Sequence, residues 1–400
     1  FMNKNYFLEV FLLILLVVLT HSYLPTVSEV LSSSGSADFQ WQPAKCVFEG
    51  INHYQSYLAR DGNCKVFMSQ FGEYAQGFYV LIYPFTVLEW NNAKFLWFLF
   101  NVTLIISTSF LLCKKFELGK IETYLIIFFI LYSIIARVNF IMGQQTIFVL
   151  FFLTLPFIYK SKLSTILSGI SYFKYNIGYA LFFLYLISKE YKKIIFSIIP
   201  CFVGLIIYCF ITNSSILKNI FQPFELMFFN SANGSTLNRV FLFSFFRDFS
   251  IFNEFINYSL IGIFTLLFNF FFIRKISEIN NNLLKLSCLC LLILISTPHW
   301  GHDYILLVPL LIYSVKYYKF DLFLFRINLL VCVYFLHLYK GIQIYLNVVF
   351  SYFKINTYFL SDAYPYIDIL VLLIILILNL ISSSSKKNPR NFHSEGSNSV

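Results

Sequence analysis

Charged residues are scarce in this sequence: Asp, Glu, Lys and Arg together make up only 12% of its 400 residues. Hydrophobic residues make up 58%, and the mean hydropathy is +0.73. This balance excludes a soluble globular domain, in which about a quarter of the residues are charged. The sequence therefore predicts an all-α, polytopic integral membrane protein.

Several motifs that carry chemistry are also absent. The sequence contains no GxxxxGK, GxGxxG, HExxH or CxxC pattern, so it lacks the usual signatures of nucleotide and zinc sites. The formal charge of +10 comes largely from short turns between apolar runs, which indicates membrane topology rather than nucleic-acid binding. We expect no nucleic-acid partner, no metal and no cofactor.

Cysteine is sparse as well, with eight residues in the chain. Six lie in or beside apolar runs, where we expect them to pack as inert side chains. Cys46 and Cys64 share the first polar loop, and two alternatives stay open for them: a disulfide in an oxidising compartment or two free thiols. A disulfide would stabilise the loop by roughly 3 kcal/mol.

The apolar runs predict membrane helices at about 6–23, 94–113, 121–138, 146–160, 194–212, 256–273, 284–297, 303–318, 322–338 and 366–382. The stretch 163–188 is interrupted around Lys174, and we interpret it as two half-depth helices that enter and return. The stretch 75–90 is either an extra crossing or a helix at the membrane surface. We predict 10 to 12 membrane segments in one domain, 1–382, and a disordered tail, 383–400.

Lys and Arg in the short connections predict the orientation. They cluster at 114–120, 160–162, 189–193, 274–275, 316–319 and 386–390, all cytoplasmic if both termini are cytoplasmic. The run after Lys4 is either a cleaved signal peptide or an uncleaved first helix. We expect the helix, because cleavage near 34–37 would leave Asp38 at the new terminus. Residues 24–93 then form a first extracytoplasmic loop with interfacial helices, in a multi-pass protein of a bacterial plasma membrane.

Four polar clusters interrupt the apolar sequence, at 38–39, 137–145, 230–247 and 298–303. On the predicted topology all four fall on the outer side. A random scatter of loop residues would not place them on one face. We therefore predict that they build one cavity there.

The residues of these clusters and of the first loop carry a resemblance. In order along the chain stand Ser36-Ala37-Asp38-Phe39, Glu49-Gly50-Ile51-Asn52-His53-Tyr54, Tyr83-Pro84-Phe85, Gly143-Gln144-Gln145, Ser168-Gly169-Ile170 with Lys174, and Ser296-Thr297-Pro298-His299-Trp300. Over about 36–310 the chain resembles glycosyltransferase family 87, departing from the family's usual pattern at Phe85 and Gln145. The resemblance implies a GT-C type membrane glycosyltransferase with a polyprenyl-phosphate sugar donor, mannose- or arabinose-like, and a glycan or glycolipid acceptor.

An inverting transfer of this kind needs a carboxylate to take the proton of the acceptor hydroxyl. Asp38 follows the first helix on the outer side and matches the acidic position of the family's first loop, so we predict that it is the base. The alternative is that Asp38 only caps a short helix.

Cationic side chains would stabilise the departing phosphate. Lys174 interrupts an apolar stretch, where a charge is costly, and it matches a family Lys. We therefore predict that it binds the donor phosphate. The alternative is that its side chain snorkels to the membrane interface. Arg239 and Arg247 lie about two helical turns apart and could form a phosphate fork. Ordinary solvation of a loop explains this pair equally well.

The other candidates are predicted to bind substrate. His299 and His302 can share a helical face, and with Asp303 they also form a weak metal-site pattern that we do not favour. Arg137 and Gln144 are predicted to line the same cavity, although Arg137 could instead anchor a helix end.

Two rival functions remain open. A glycolipid transporter or flippase would use the same basic cavity without a base, although the sequence shows no internal inverted repeat that would favour it. An O-antigen-type polymerase would also carry a polar outer loop and Arg residues. It would not explain the early Asp38 followed by Gly143 and Gln144.

Overall fold

The computed structural model describes residues 4–68, 70, 72–232, 242, 254–297, 301–318, 322–339 and 357–385. Over these residues the fold is helical and contains no strand. The predicted all-α class is confirmed.

The first third of the chain contains one long helix, a set of short ones and then a second long helix. They are α1 (Lys4–Leu31), α2 (Trp41–Phe48), α3 (His53–Ala59), α4 (Gln76–Leu81), α5 (Tyr83–Thr86) and α6 (Trp90–Lys115). At 1.5 Å per residue, the six residues of α4 span about 9 Å, far less than a bilayer core of roughly 30 Å. Helix α5 is shorter still, with four residues, and neither helix is among those long and apolar enough to cross a membrane.

The middle of the chain alternates short and long helices. They are α7 (Lys120–Tyr132), α8 (Ile134–Met142), α9 (Thr146–Ile158), α10 (Lys162–Ser168), a 3-10 segment (Gly169–Phe173), α11 (Tyr175–Ile187), α12 (Tyr191–Ile211) and α13 (Ile216–Ala232). The predicted interruption of 163–188 falls as expected, because the 3-10 segment ends just before Lys174 and α11 begins just after it.

The last third contains α14 (Glu254–Ser277), α15 (Asn282–Ser296), a 3-10 segment (Gly301–Leu307), α16 (Val308–Tyr317), α17 (Leu322–Val333), a π-helical turn (Tyr334–Leu338) and α18 (Thr357–Ser385). The apolar run 303–318 is thus split between a 3-10 segment and an α-helix. Helix α18 extends to Ser385, three residues into the predicted tail. The rest of that tail lies outside the described residues.

Four described helices are long and apolar enough to cross a membrane: Trp90–Lys115, Tyr191–Ile211, Leu260–Ser277 and Tyr366–Ser384. Helices α7 and α8 make a fifth if they are counted as one span, bent by 54°. Shorter apolar helices accompany them at Thr146–Ile158, Tyr175–Ile187, Asn282–Ser296 and Leu322–Leu338. The protein is a multi-pass membrane protein, and the figure of 10 to 12 crossings stays a prediction.

The break between α7 and α8 has a local cause at Ser133. This residue has an extended backbone, with ψ 142°, and its hydroxyl accepts a hydrogen bond of 3.1 Å from the backbone N–H of Ala136. Ser133 is therefore the N-cap of α8, and it ends α7 at the same point. The bend directs α8 towards the first loop, where the candidate site lies.

Candidate functional site

Asp38 is held at the C-terminal end of α8 by its own backbone. Its N–H donates to the carbonyl of Met142 at 2.9 Å, and Ser36 N–H donates to Ile141 at 2.6 Å. The neighbouring Phe39 is fully buried and stacks on Trp97, with ring centroids 4.7 Å apart and an interplanar angle of 10°. The Asp38 side chain is half-buried, so this anchored loop presents a carboxylate that is still partly accessible.

The turn at residues 143–146, between α8 and α9, contacts Asp38 directly. The amide Nε2 of Gln144 donates to Asp38 Oδ2. Gln145 Nε2 donates to the backbone carbonyl of Asp38 at 2.8 Å, and Gln145 Oε1 accepts a 2.5 Å hydrogen bond from the Tyr74 hydroxyl. The clusters at 38–39 and 137–145 thus meet, and a single outer cavity built by all four clusters stays a prediction. Gln145, which departs from the family pattern, orients the loop that carries Asp38.

Gly143 makes this turn possible. Its φ is +68°, in the left-handed region that favours glycine. A Cβ at this position would lie 2.8 Å from Phe39 Cβ, closer than real Cβ contacts allow. The Gly143 carbonyl also accepts a hydrogen bond of 3.0 Å from Trp97 Nε1. Glycine is therefore required both by the backbone conformation and by the packing against the Asp38 loop.

A second polar centre begins at Thr146, the residue after Gln145. Lys174 Nζ lies 2.8 Å from both Asp303 Oδ1 and Thr146 Oγ1, and the Thr146 hydroxyl donates to the same carboxylate oxygen. All three residues are buried, with Asp303 at 2% and Lys174 at 8% exposure. The positive charge of Lys174 is balanced within the fold. The sequence indicates Asp303 only as part of a weak metal-site pattern and contains no signal for Thr146.

His302 belongs to this second centre. Its Nε2 lies 3.8 Å from Asp303 Oδ1, and its backbone carbonyl accepts a 2.7 Å hydrogen bond from Asn139 Nδ2 of α8. Within the described part of the chain no three His, Cys, Asp or Glu residues form a metal-binding group. His299, the other half of the weak metal pattern, lies outside the described residues.

Among the described residues the Arg137 side chain forms no hydrogen bond or ion pair with either centre. Its guanidinium carbon lies 5.8 Å from the ring of Tyr132, and Nε is buried without a hydrogen-bond partner. The predicted phosphate residues Arg239 and Arg247 lie outside the described residues. Of the other predicted site residues, the structure groups Asp38 with Gln144 in one centre and Lys174 with His302 in the other.

The first-loop motif around Asn52 and His53 has a structural role that the sequence did not reveal. His53 is fully buried; its two ring nitrogens lie 3.3 Å from the Gly72 carbonyl and 3.1 Å from the Tyr208 hydroxyl of α12. Asn52 Nδ2 donates to Asn219 Oδ1 of α13 at 3.0 Å. Burial lowers the pKa of His53 to about 3, because a low-dielectric environment disfavours the charged imidazole. This network fixes the first loop on α12 and α13.

A disulfide between Cys46 and Cys64 adds a covalent link within the same loop, with Cα atoms 5.9 Å apart. Of the two alternatives that the sequence left open for these cysteines, the structure has the disulfide. The other six cysteines are unpaired, and five of them are buried.

Comparison with known proteins identifies the family. No curated protein and no solved structure matches the chain. The sequence model of glycosyltransferase family 87 matches residues 74–298, more than half of the chain. The matched part contains Arg137, Gln144 and Lys174, whereas Asp38 precedes it and Asp303 follows it. On this match the chain belongs to glycosyltransferase family 87, a family of membrane glycosyltransferases.

Proposed function

We propose that this protein transfers a mannose- or arabinose-like sugar from a polyprenyl-phosphate donor to a glycan or glycolipid acceptor at the outer face of a bacterial plasma membrane, with both termini cytoplasmic. The observation that carries the proposal is the partly accessible carboxylate of Asp38, positioned by Gln144 and Gln145. Asp38 lies in the first loop, where the family resemblance expects the base.

The proposed reaction is an inverting displacement. The acceptor oxygen attacks the anomeric carbon while Asp38 takes its proton, and the bond from that carbon to the phosphate oxygen breaks. The leaving polyprenyl phosphate keeps the electron pair of that bond. Because this phosphate gains negative charge in the transition state, positioned cationic groups accelerate its departure.

Lys174 contributes to phosphate binding in this proposal. An ammonium group has three donors, and the described contacts of Lys174 direct two of them towards Thr146 and Asp303. A phosphate oxygen at this ammonium would gain a hydrogen bond, but little net charge, because Asp303 already balances it. Arg239, Arg247, His299 and His302 remain proposed contacts to phosphate or substrate.

The donor class can be tested with purified protein in lipid nanodiscs. A panel of radiolabelled polyprenyl-phosphate sugars and the matching nucleotide sugars would be offered with a glycolipid acceptor. We expect transfer from at least one polyprenyl-phosphate sugar and from no nucleotide sugar. Transfer from a nucleotide sugar without polyprenyl phosphate would refute the donor assignment. Lipid translocation without any transfer would instead support the transporter alternative.

The outer-face placement has its own test. Single cysteines at positions 38 and 299 would be labelled in intact cells with a membrane-impermeant thiol reagent. We expect both to react without permeabilisation, because their loops connect segments whose other ends carry the cationic turns. Labelling of either position only after permeabilisation would contradict the topology.

A further inference from the structure

We propose that Arg137, with His337 beside it, binds the phosphate of the polyprenyl-phosphate donor. This inference rests on the proposed function and assigns its lipid-phosphate site to residues of α8 and of the π-helical turn. It gives Arg137 a definite ligand, where the sequence predicted only a substrate contact, and it introduces His337.

Arg137 differs from Lys174 in how its charge is balanced. Lys174 forms an ion pair with Asp303 at 2.8 Å, and both side chains are buried. Arg137 forms no ion pair with any carboxylate in the described residues. An unpaired cation within an apolar stretch is costly and indicates a functional site. Of these two cations, Arg137 is therefore the one with unbalanced charge to offer to a phosphate.

Arg137 and His337 lie beside the same aromatic ring, that of Tyr132. The ring of His337 lies 4.1 Å from that of Phe129 and stacks at 6.3 Å with that of Tyr132. His337 Nε2, like Arg137 Nε, is buried without a hydrogen-bond partner. Two neighbouring nitrogen-bearing side chains thus have unused hydrogen-bonding atoms.

The local backbone also marks this place. His337 lies in a π-helical turn, a distortion that occurs frequently at functional sites. Arg137 lies in the first half of α8, directly after the 54° break at Ser133. Broken helices at membrane depth are tolerated where they are covered by protein or line a cavity. Two irregular helical segments therefore meet where the unpaired cation lies.

Access from the lipid is supported by exposure. Tyr132, over which the guanidinium lies, is 40% exposed, and its ring stacks on Phe128 at 5.7 Å. The Arg137 side chain is itself only half-buried. A planar guanidinium with several donors can bind two phosphate oxygens at once. A lipid phosphate arriving along this aromatic surface would meet it directly.

Helix α8 connects the proposed phosphate site to Asp38. Arg137 and Met142 are five positions apart, which at 1.5 Å per residue is about 7.5 Å along the helix axis. The Met142 carbonyl holds the Asp38 backbone. The reach of an arginine side chain and one sugar residue together bridge such a separation. One rigid element therefore sets the spacing between phosphate and base.

Binding can be measured without turnover. Protein in phosphatidylcholine nanodiscs would be titrated with a fluorescent polyprenyl monophosphate, with competition by unlabelled polyprenyl monophosphate, neutral polyprenol, phosphatidylglycerol and inorganic phosphate. We expect Arg137→Gln to weaken binding by about 10-fold to 100-fold, as loss of a charge-assisted contact does. Arg137→Lys should weaken it less, because it keeps the charge but loses the fork. Lys174→Met should weaken it less than Arg137→Gln.

The matched control is Arg326→Gln, which removes an exposed arginine of α17 and should leave binding unchanged. Wild-type affinity in Arg137→Gln would overturn the proposal. So would equal competition by polyprenol, which lacks the phosphate, or by phosphatidylglycerol, which would make the site one for ordinary anionic lipid. Inorganic phosphate should compete only weakly because it lacks the chain. If Arg137→Gln lowers the unfolding temperature, the affinity of Arg137→Lys for polyprenyl monophosphate becomes the deciding measurement. Wild-type affinity in that variant would refute a guanidinium that binds two phosphate oxygens.

The two proposals fail separately. If no polyprenyl-phosphate sugar supports transfer but Arg137-dependent binding persists, the proposed function fails and this site remains. If transfer occurs and binding is independent of Arg137, only this inference fails.

Discussion

Asp38 and Asp303 both contact the turn at residues 143–146, yet their surroundings differ. Asp38 is half-buried and accepts a hydrogen bond from the neutral amide of Gln144. Asp303 is 2% exposed and is bound by the ammonium of Lys174 and the hydroxyl of Thr146. A general base must reach the hydroxyl that it deprotonates, so access favours Asp38. Asp303 is instead suited to hold Lys174 in position, because the two form a buried ion pair.

The largest effect should come from Asp38→Asn. Asparagine has nearly the same shape but cannot take the proton, so turnover should fall by about 100-fold to 10,000-fold, as for loss of a positioned general base. Donor binding should barely change. Radiolabelled transfer measured beside polyprenyl monophosphate binding would check both.

A control for this variant exists in the same loop. Asp61 is exposed and its carboxylate accepts a hydrogen bond from Ser56, so Asp61→Asn should keep near-normal turnover. Near-normal turnover in Asp38→Asn would make Asp38 a helix cap and would remove the distinction between the two carboxylates.

The free energy of unfolding should depend more on Asp303 than on Asp38. Asp303→Asn leaves the Lys174 charge buried and unpaired, which costs about 3–5 kcal/mol. Adding Lys174→Met should restore much of that loss, because no buried charge then remains. Thermal unfolding in detergent would measure each variant.

The exposed ion pair between Lys193 and Glu190, at 2.6 Å and 44% and 39% exposed, provides the matched control. Glu190→Gln should cost less than about 1 kcal/mol. If Asp303→Asn were equally mild, Asp303 would not be holding a buried cation, and its assignment as a positioning residue would be lost.

Gly143→Ala tests the turn that joins the two carboxylates. The left-handed backbone costs a non-glycine residue about 1–2 kcal/mol, and the new Cβ would meet Phe39 at 2.8 Å. Gly62→Ala is the control, because Gly62 has φ +77° with no atom within 4 Å of the added Cβ. Both should lose stability, but only Gly143→Ala should also lose transfer activity. Equal activity in the two variants would contradict a close fit between the turn and the Asp38 loop.

The last effect depends on pH and is the most gradual. Burial lowers the pKa of His53 from 6.5 to about 3, so between these values the unfolded chain binds the proton and the folded chain does not. Stability should therefore fall as pH decreases from 6.5 towards 3, by up to roughly 1.4 kcal/mol per pH unit. Unfolding temperatures of wild type and His53→Phe across this range would show it, with the exposed His21→Gln as the control. A wild-type slope that persists in His53→Phe would assign the loss to other groups and would bear on any pH profile used to titrate Asp38.

Much of this arrangement is readable from the sequence because it depends on local patterns. Apolar runs predict the helices, and the interruption at Lys174 predicts the break that the 3-10 segment forms. The grouping of Asp38 with Gln144 follows from polar residues placed at segment ends. Neighbouring residues and their periodicity determine these features.

What the sequence does not reveal depends on partners that are distant along the chain. Lys174 and Asp303 are 129 residues apart, and no spacing rule joins a lysine in one broken helix to an aspartate in another segment. Helix α8 ends beside Asp38 because Ser133 caps it and bends the chain, a geometric outcome that a run of apolar residues does not encode. Asn52 and His53 match a family motif, yet their contacts are structural.

The Gly143 turn has a consequence for how this protein tolerates insertions and deletions. Gln144 and Thr146 reach two different carboxylates because they are two positions apart at the start of α9. One added residue between them would shift Thr146 relative to the Asp38 loop and would carry its hydroxyl away from Lys174 and Asp303. Loop length varies freely at most membrane surfaces, but the length of this turn sets the positions of Gln144 and Thr146. We therefore expect related proteins to differ in the amino acids of this turn far more than in its length.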